Sequence, residues 1–539
     1  MNKIFTQLVA ARHLTDDFLH PDYQDLIDPE KLPDIEKATK RIKKAAKTGE
    51  KVLIYGDYDV DGVTASTLME QALKLAGIKD VEIMLPDRFI DGYGMSPRLI
   101  TRAKDSQITL VVTVDCGSRN HAIIDELNHE HIDTIVTDHH ECEDEIPEAI
   151  AVINPHRHDY NGPDDLKNLA GVGVAFKLAQ GLTKADLIKD GSEKWLLDLV
   201  LIGTLCDNME ITRENRILTY YGKIVLEKTR RFGLIELMRT AGVKSITAES
   251  IGFQLGPRLN AAGRLATAEI SLNLLRATSA PEAAKLASKL EKLNQDRRAE
   301  QRAATSEINQ RLQTHQTSTP VIIETGTWHE GILGIVAGRL VEKYHRPAFV
   351  LSEVEKDIFK GSGRSFGDFN LAKALEYAKS AIIGGGGHAA AAGVQVKAEN
   401  LYAFREKINE YYESLNLQNQ DRFLKHQADL EISDLKDFNL ALLEELKTLE
   451  PFGAGNEEPV FCLRDAEIVG IRRMGQDGTH LRLDLRGKDG QIIKTIAFSA
   501  PESWFNLDDT ISHTFLLQPV ENEWNGVRSV EARLLDLLE

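Results

Sequence analysis

Residues Lys51–Ser66 read KVLIYGDYDVDGVTAS: an apolar run breaks into aspartates at alternate positions, Asp57, Asp59 and Asp61, and then into glycine. The run predicts a short strand. The following VTASTLMEQALKLAG predicts a helix, because its apolar residues recur every three or four positions. Alternate side chains of an extended segment share a face, so the three carboxylates are expected on one side of the chain, with Gly62 letting the backbone turn into the helix. Like charges this close are costly unless some are protonated or a cation neutralises them. A helix-capping aspartate with solvated neighbours is the bland alternative. It accounts for one of the three, at most two.

Further along, VEIMLP, TLVVTVD, DTIVTD and IAVIN are short β-branched runs separated by helix-like stretches such as RNHAIIDELNHEH, an alternation that predicts a parallel α/β sheet. TLVVTVD ends in Asp115 and TIVTDHH in Asp138, His139 and His140, while LIGTLCDNM closes an apolar run with Asp207. A parallel sheet gathers such residues at the C-terminal edge of its strands, where open α/β sheets place their sites. Carboxylate and imidazole without thiolate spacing favour Mn²⁺ or Mg²⁺. So many acidic ligands could hold two such cations with one carboxylate bridging, an arrangement suited to phosphoryl transfer.

The bulk numbers agree with this reading. The 539 residues suggest roughly three domains. The four cysteines, Cys116, Cys142, Cys206 and Cys462, form no CxxC pair, which fits a reducing compartment and argues against a disulfide framework. Cys116, Cys142 and Cys206 lie beside proposed ligands and are expected to be packing residues, with a zinc–thiolate site as the alternative. The N-terminus is too broken for a signal peptide and no stretch could span a bilayer, so the expected location is cytoplasmic. A formal net charge of −18 speaks against non-specific coating of nucleic acid, but not against a strand held in a local basic groove.

Segment 160–275 reads as mostly helical. The run from Ser279 to about His315 lacks glycine and is rich in helix formers, predicting a bridging helix on the order of 50 Å long. A second strand–helix–strand unit starts at Pro320, and a β-rich tail with hairpin turns at Lys-Asp-Gly and Asn-Gly starts near Leu430, suiting a small barrel. The expected division is an N-terminal segment 1–49, a catalytic domain 50–275, a connecting helix 276–318, a second α/β domain 319–415 and a barrel 425–539.

With DYDVDG, VDCGS, TDHH and LCDNM in this order, the sequence resembles the DHH phosphoesterase superfamily, and GGGGHAAAAG resembles its DHHA1 domain. The long chain and an OB-fold-like tail make it most similar to the single-strand-specific exonucleases of that superfamily, from about residue 50 onward. The resemblance implies a two-ion Mn²⁺ or Mg²⁺ site: Asp59 on one ion, Asp61 on the other, Asp115 bridging, and His139 and Asp207 completing the ligands. His140 would contact the scissile phosphate or leaving group, while Asp57 and Asp138 would be ligands or orient them, Asp57 acting with Asp115 and His140 in catalysis. Relatives acting on pyrophosphate or small nucleotides carry a histidine where this chain has Tyr55.

The implied reaction is 5′→3′ release of mononucleotides from single-stranded DNA, in repair and recombination. Candidate phosphate binders are Arg88, Ser362, Arg364, and Gly386, Gly387 and His388 of the glycine run, read as a turn opening a helix. Arg258, Asn260 and Arg264 in GPRLNAAGR, and Asn294, Gln295, Arg297 and Arg298 in LNQDRR, match segments of the same exonucleases, although a solvated helix face is the bland reading for Arg297 and Arg298. Trp504, Phe505 and Trp524 are candidate base-stacking groups or packing residues. The resemblance also implies a single-strand-binding protein and a RecQ-type helicase as partners. The rival readings are a phosphodiesterase for short oligonucleotides or small nucleotides and a non-catalytic strand-binding scaffold.

Overall fold

The computed structural model describes residues 2–92, 94–315, 319–417, 427–475 and 478–538. The stretch quoted above forms β1 (Val52–Tyr55), buried throughout, and then the helix Val60–Leu75. β1 belongs to a five-stranded sheet with β2 (Val81–Met84), β3 (Leu110–Val114), β4 (Asp133–Thr137) and β5 (Ala151–Ile153). The order is β2-β1-β3-β4-β5 and every pairing is parallel. The strands are apolar on both sides because both faces are covered: Val52, Ile54 and Val112 join one core, Leu53, Tyr55 and Val111 another. Strand order reverses between β1 and β3. At such a switch point the loops leaving the two strands diverge and open a crevice. Asp57 and Asp115 leave these two strands.

The rest of this domain is mainly helical and leads into the helix Ala280–His315. As expected, that helix bridges two bodies: Ala283, Ala287 and Leu290 lie in the first domain's core, Ala304 and Ile308 in a core shared with the second. The second sheet comprises β6 (Ile322–Gly326), β7 (Ala348–Glu355), β8 (Ile358–Arg364), β9 (Gly384–Gly387) and β10 (Ala391–Lys397), ordered β6-β7-β8-β10-β9. The glycine run is therefore an exposed edge strand and not a turn opening a helix. Its backbone groups pair with Gly393, Val394 and neighbours, and His388 N–H donates to Ala391 O at 2.9 Å to close a tight hairpin.

The tail forms β11 (Leu430–Ile432), β12 (Phe461–Met474), β13 (His480–Arg486), β14 (Ile492–Ala497), β15 (Ser512–Trp524) and β16 (Val527–Leu538). Pairing runs β12-β13-β14-β16-β15 and back to β12, closing a barrel and leaving no open edge among these strands. The N-terminal helix Lys3–Ala11 packs far from its sequence neighbours. Ile4, Phe5 and Leu8 are buried in the barrel's core, and Arg12 grips Asp429 through Nε and Nη2 at 2.6 and 2.9 Å. Among the described residues no helix is long and apolar enough to cross a membrane.

Candidate metal centre and phosphate-binding cleft

The chain does not stay extended through Asp61. β1 ends at Tyr55, and Asp59 caps the helix Val60–Leu75 by accepting the Gly62 N–H at 3.0 Å. Gly62 is a close-approach residue inside that helix, not the turn expected: a Cβ there would sit 2.5 Å from the Asp57 carbonyl oxygen. The loop carrying Asp57 folds over the helix's first turn, so the carboxylates converge although they do not share a strand face. Only Asp59 behaves as the bland capping reading requires. Asp57 and Asp61 are buried. Asp61 accepts the N–H groups of Gly171 at 2.6 Å and Val172 at 2.9 Å, so it faces the start of the helix Gly171–Lys184.

Asp115 directly follows β3 with φ +61°, a backbone conformation uncommon outside glycine, and its side chain is buried. Its Oδ1 lies 3.1 Å from His139 Nε2, which is also 3.7 Å from Asp207 Oδ2 and 3.9 Å from Asp61 Oδ2. Asp207 closes the helix Leu197–Cys206, which approaches Asp61 at a glycine: a Cβ on Gly203 would lie 2.8 Å from Asp61 Oδ1. Asp138 organises the histidines. It accepts N–H from Ser118 (3.0 Å), His139 (2.8 Å) and His140 (3.2 Å), and its Oδ1 is 2.8 Å from His140 Nδ1. Sequence reading missed Asn154, which is buried and donates to Ser118 Oγ (2.8 Å) and the His140 carbonyl (2.9 Å). It follows β5 without any charge to mark it.

These donors fit divalent metal. Ligand atoms of Asp57, Asp59 and Asp115 lie within 4.8 Å of one another, as do those of Asp61, His139 and Asp207, and of Asp115, His139 and His140. Asp115 belongs to two of these groups, as a bridging carboxylate would. Asp57 Oδ1 and Asp115 Oδ1 are buried and accept no hydrogen bond, which leaves both oxygens free to bind a cation. Burial, then the neighbouring carboxylates, push Asp57 and Asp115 well above the usual carboxylate range, Asp61 up to about 7 and Asp207 to about 8. Burial and then His140 lower His139 to about 4, leaving it neutral as a metal ligand must be. For His140, burial is outweighed by the Asp138 hydrogen bond and charge, which raise it to about 9. For Asp138 the same histidines overcome burial and hold the carboxyl below its ordinary range. No thiol belongs to these groups, and all four cysteines are free. Cys116 is buried with Sγ 3.7 Å from Tyr55 O, a packing role.

Beside the carboxylates the structure assembles arginines from several elements. Arg88 stacks over the Tyr58 ring, Cζ 5.0 Å from its centroid. Arg264, in the helix Gly256–Leu265, has its pKa lowered to about 9, by burial first and then by Arg88, Arg297 and Arg364. Arg364 ends β8 and donates to Ser362 Oγ at 3.0 Å. A cleft of about 760 Å³ runs on from Arg264 past Asn260 and Arg297 to Ile335 of the second domain and Gln518 and Arg533 of the barrel. Arg258 faces elsewhere, pairing with Glu291 at 2.6 Å and bonding Gln254 O. Gln295 and Arg298 are exposed on the bridging helix, and Gln295 bonds Glu291. Gly386, Gly387 and His388 lie on the exposed β9 hairpin. Trp504 is buried in the barrel, Phe505 carries Arg473 at 3.8 Å over its ring, and Trp524 is exposed.

Comparison with known proteins places these features in one family. The model "DHH family, N-terminal domain" matches residues 51–204, "DHHA1 domain" residues 318–414 and "RecJ OB domain" residues 428–536. The single-stranded-DNA-specific exonuclease RecJ of Haemophilus influenzae is 32% identical over 99% of this chain and 96% of its own length. The Bacillus subtilis RecJ is 34% identical over 96% of this chain, which spans 65% of that relative's length. The crystal structure of Thermus thermophilus RecJ in complex with Mn²⁺ superposes with a TM-score of 0.84 at 27% identity, covering all of this chain and 76% of that one. A second structure of the Thermus protein holds Mg²⁺ and superposes at 0.78. The acidic groups at the sheet's switch point, the three domains in order and the near-complete match to the Haemophilus relative together place this chain in the family of RecJ single-stranded-DNA-specific exonucleases.

Proposed function

We propose that this protein is a metal-dependent exonuclease that hydrolyses the phosphodiester bonds of single-stranded DNA, entering from the 5′ end and releasing 5′-mononucleotides. The observation that carries the reading is a pair of candidate ligand groups, Asp57, Asp59 and Asp115 in one and Asp61, His139 and Asp207 in the other, joined by the 3.1 Å approach of Asp115 to His139. In this reading Asp59 holds one Mn²⁺ or Mg²⁺, Asp61 the other, and Asp115 bridges. His139 and Asp207 complete the ligands and Asp57 joins Asp59.

When bound, the cations supply Lewis acidity toward the phosphate and acidify the attacking water. The chain's own residues do the rest. Asp138 fixes His140 through Nδ1, so His140 meets the scissile phosphate or leaving oxygen through Nε2. Arg88, Arg264, Ser362 and Arg364 take phosphate oxygens, and the cleft past Asn260 and Arg297 leads the strand to the barrel. Gln295, Arg298 and the β9 hairpin with Gly386, Gly387 and His388 are further contacts in this proposal. So are a cytoplasmic location and partnership with a single-strand-binding protein and a RecQ-type helicase.

The test is a 5′-phosphorylated single strand incubated with Mn²⁺, Mg²⁺ or EDTA, beside the Asp115→Ala protein. Progressive shortening of a 3′-labelled strand and direct release of a 5′-labelled mononucleotide, both dependent on metal and Asp115, are expected. Binding without cleavage under any metal would sink the reading in favour of a strand-binding scaffold. Cleavage confined to dinucleotides would favour the small-nucleotide diesterase.

A further inference from the structure

TGTWHEGILGI, residues 325–335, opens the second domain's first helix, and of it only Ile335, at the edge of the cleft, has a place in the site described above. Within it, Trp328–Ile335 reaches Arg264, Arg364 and the chain neighbour of Arg88, the three arginines proposed above to take phosphate. His329 stacks edge-on against Phe89, with ring centroids 5.5 Å apart at 84°, and Phe89 adjoins Arg88 in the chain. Gly331 lies against the backbone of Arg264: a Cβ there would sit 2.0 Å from the Arg264 carbonyl oxygen, and Arg264 Nη1 donates to Gly331 O at 3.3 Å. Gly334 makes room for the third, since a Cβ there would lie 2.8 Å from Arg364 Nη2 and 3.0 Å from Ser362 Oγ.

The segment is itself held from outside the cleft. Trp328 Nε1 donates to Glu307 of the bridging helix at 2.8 Å, Ser352 Oγ donates to Trp328 O at 2.5 Å, and His329 Nδ1 accepts the Gly331 N–H at 3.1 Å. Its own Ile332 and Leu333 are buried in the core shared with the bridging helix.

We propose that Trp328–Ile335 is a positioning element for the phosphate site: His329 sets Arg88 through Phe89, Gly331 sets Arg264, and Gly334 sets Arg364 and Ser362. The arginines come from a loop and a helix of the first domain and a strand of the second. Mutual repulsion among guanidinium groups would spread them, and a single backbone segment touching all three supports keeps them convergent. This inference rests on the functional reading above, in which these groups bind strand phosphate.

The test compares Gly334→Ala, His329→Asn, His329→Phe and Phe89→Ala with the wild type on a 5′-phosphorylated single strand. Gly334→Ala disturbs only the ends of two side chains, so it folds. His329→Asn keeps a cap acceptor and loses the ring, whereas His329→Phe keeps the ring and loses the acceptor. We expect Gly334→Ala, His329→Asn and Phe89→Ala to raise KM about tenfold, the value of one charge-assisted hydrogen bond, with kcat and melting temperature nearly unchanged. His329→Phe should stay near wild type, and the Phe89→Ala/His329→Asn pair should add nothing to either single change. Strand affinity in EDTA should fall in step with KM. Unchanged KM and affinity in the folded Gly334→Ala and His329→Asn proteins, or a loss confined to kcat, would overturn the proposal. A wild type that binds the strand without cutting it would instead defeat the functional reading, and the EDTA affinities would still decide this one.

Discussion

Asp115 Oδ1 stands 3.1 Å from His139 Nε2, although one residue leaves β3 and the other follows β4. Parallel pairing of these strands in register, Val114 beside Thr137, brings them together. The contact joins two metal-ligand groups, and most of the chemistry proposed for this protein passes through it.

Removing the Asp115 charge separates stability from function. Asp115→Asn relieves repulsion among buried carboxylates, so in EDTA its melting temperature should equal or exceed that of the wild type. With Mn²⁺ the order should reverse. A ligand at a hundred times its Kd stabilises the wild type by about 2.7 kcal/mol, a gain the variant should largely lose. Losing a residue that merely orients a ligand costs about 10- to 100-fold, so cleavage should fall by more than about 100-fold. Paired melting curves and single-turnover rates check both.

Arg216 ties the first domain to both the N-terminal segment and the entrance of the barrel. It is 1% exposed in the helix Arg213–Glu227 and donates to the carbonyls of Phe18 (3.2 Å), Thr448 (2.8 Å) and Glu450 (2.6 Å). Arg216→Met keeps the bulk and removes the donors. It should cost about 3 kcal/mol and speed amide exchange in both the N-terminal segment and the barrel entrance, more than in β1 or β3.

The N-terminal helix should behave as part of the barrel. Ending the chain before Leu430 uncovers Ile4, Phe5 and Leu8, each worth about 1.5–3 kcal/mol of burial. Such a truncation should aggregate, and removing residues 2–14 as well should restore solubility. Equal aggregation of the two truncations by light scattering would count against this packing.

Glu50 sets an acid limit. Burial raises its pKa, but hydrogen bonds from Thr109 and Arg41, both 2.6 Å, and from Thr48 at 2.8 Å outweigh it and lower the pKa to about 2. A carboxyl lowered on folding contributes stability above its unfolded pKa and loses it as pH falls toward the folded value. Glu50→Gln should therefore melt below the wild type at neutral pH. The gap should narrow between about pH 4.5 and pH 2, as read by calorimetry.

The site was legible where it depended on period and position. β-branched runs ending in Asp115 and Asp138 could be read as strands because a strand covered on both faces must be apolar throughout. Asp207 was found as the polar end of an apolar run. Two local expectations failed for the same reason. Gly62 and the glycine run Gly384–Gly387 were read from glycine's freedom to turn, yet the first admits the Asp57 backbone and the second forms an edge strand. Both uses of glycine depend on neighbours distant in sequence or on pairing that composition does not record. Asn154 is not legible in the sequence because an uncharged amide after a short strand has no periodic or electrostatic mark.

The sequence by itself determined the class of fold, the order of the domains and which acidic and imidazole residues were candidates for the site, since each follows from residue type at short range: hydrophobic period, charge clustering, turn chemistry. Tertiary structure alone decided which groups meet. Parallel register put Asp115 beside His139, the fold seated Lys3–Ala11 in the barrel's core, Arg258 was directed to Glu291, and Trp328–Ile335 was brought against Phe89, Arg264 and Arg364. Such contacts join residues far apart in the chain, and only long-range packing, which satisfies buried polar groups and fills space together, selects among the partners that local sequence allows.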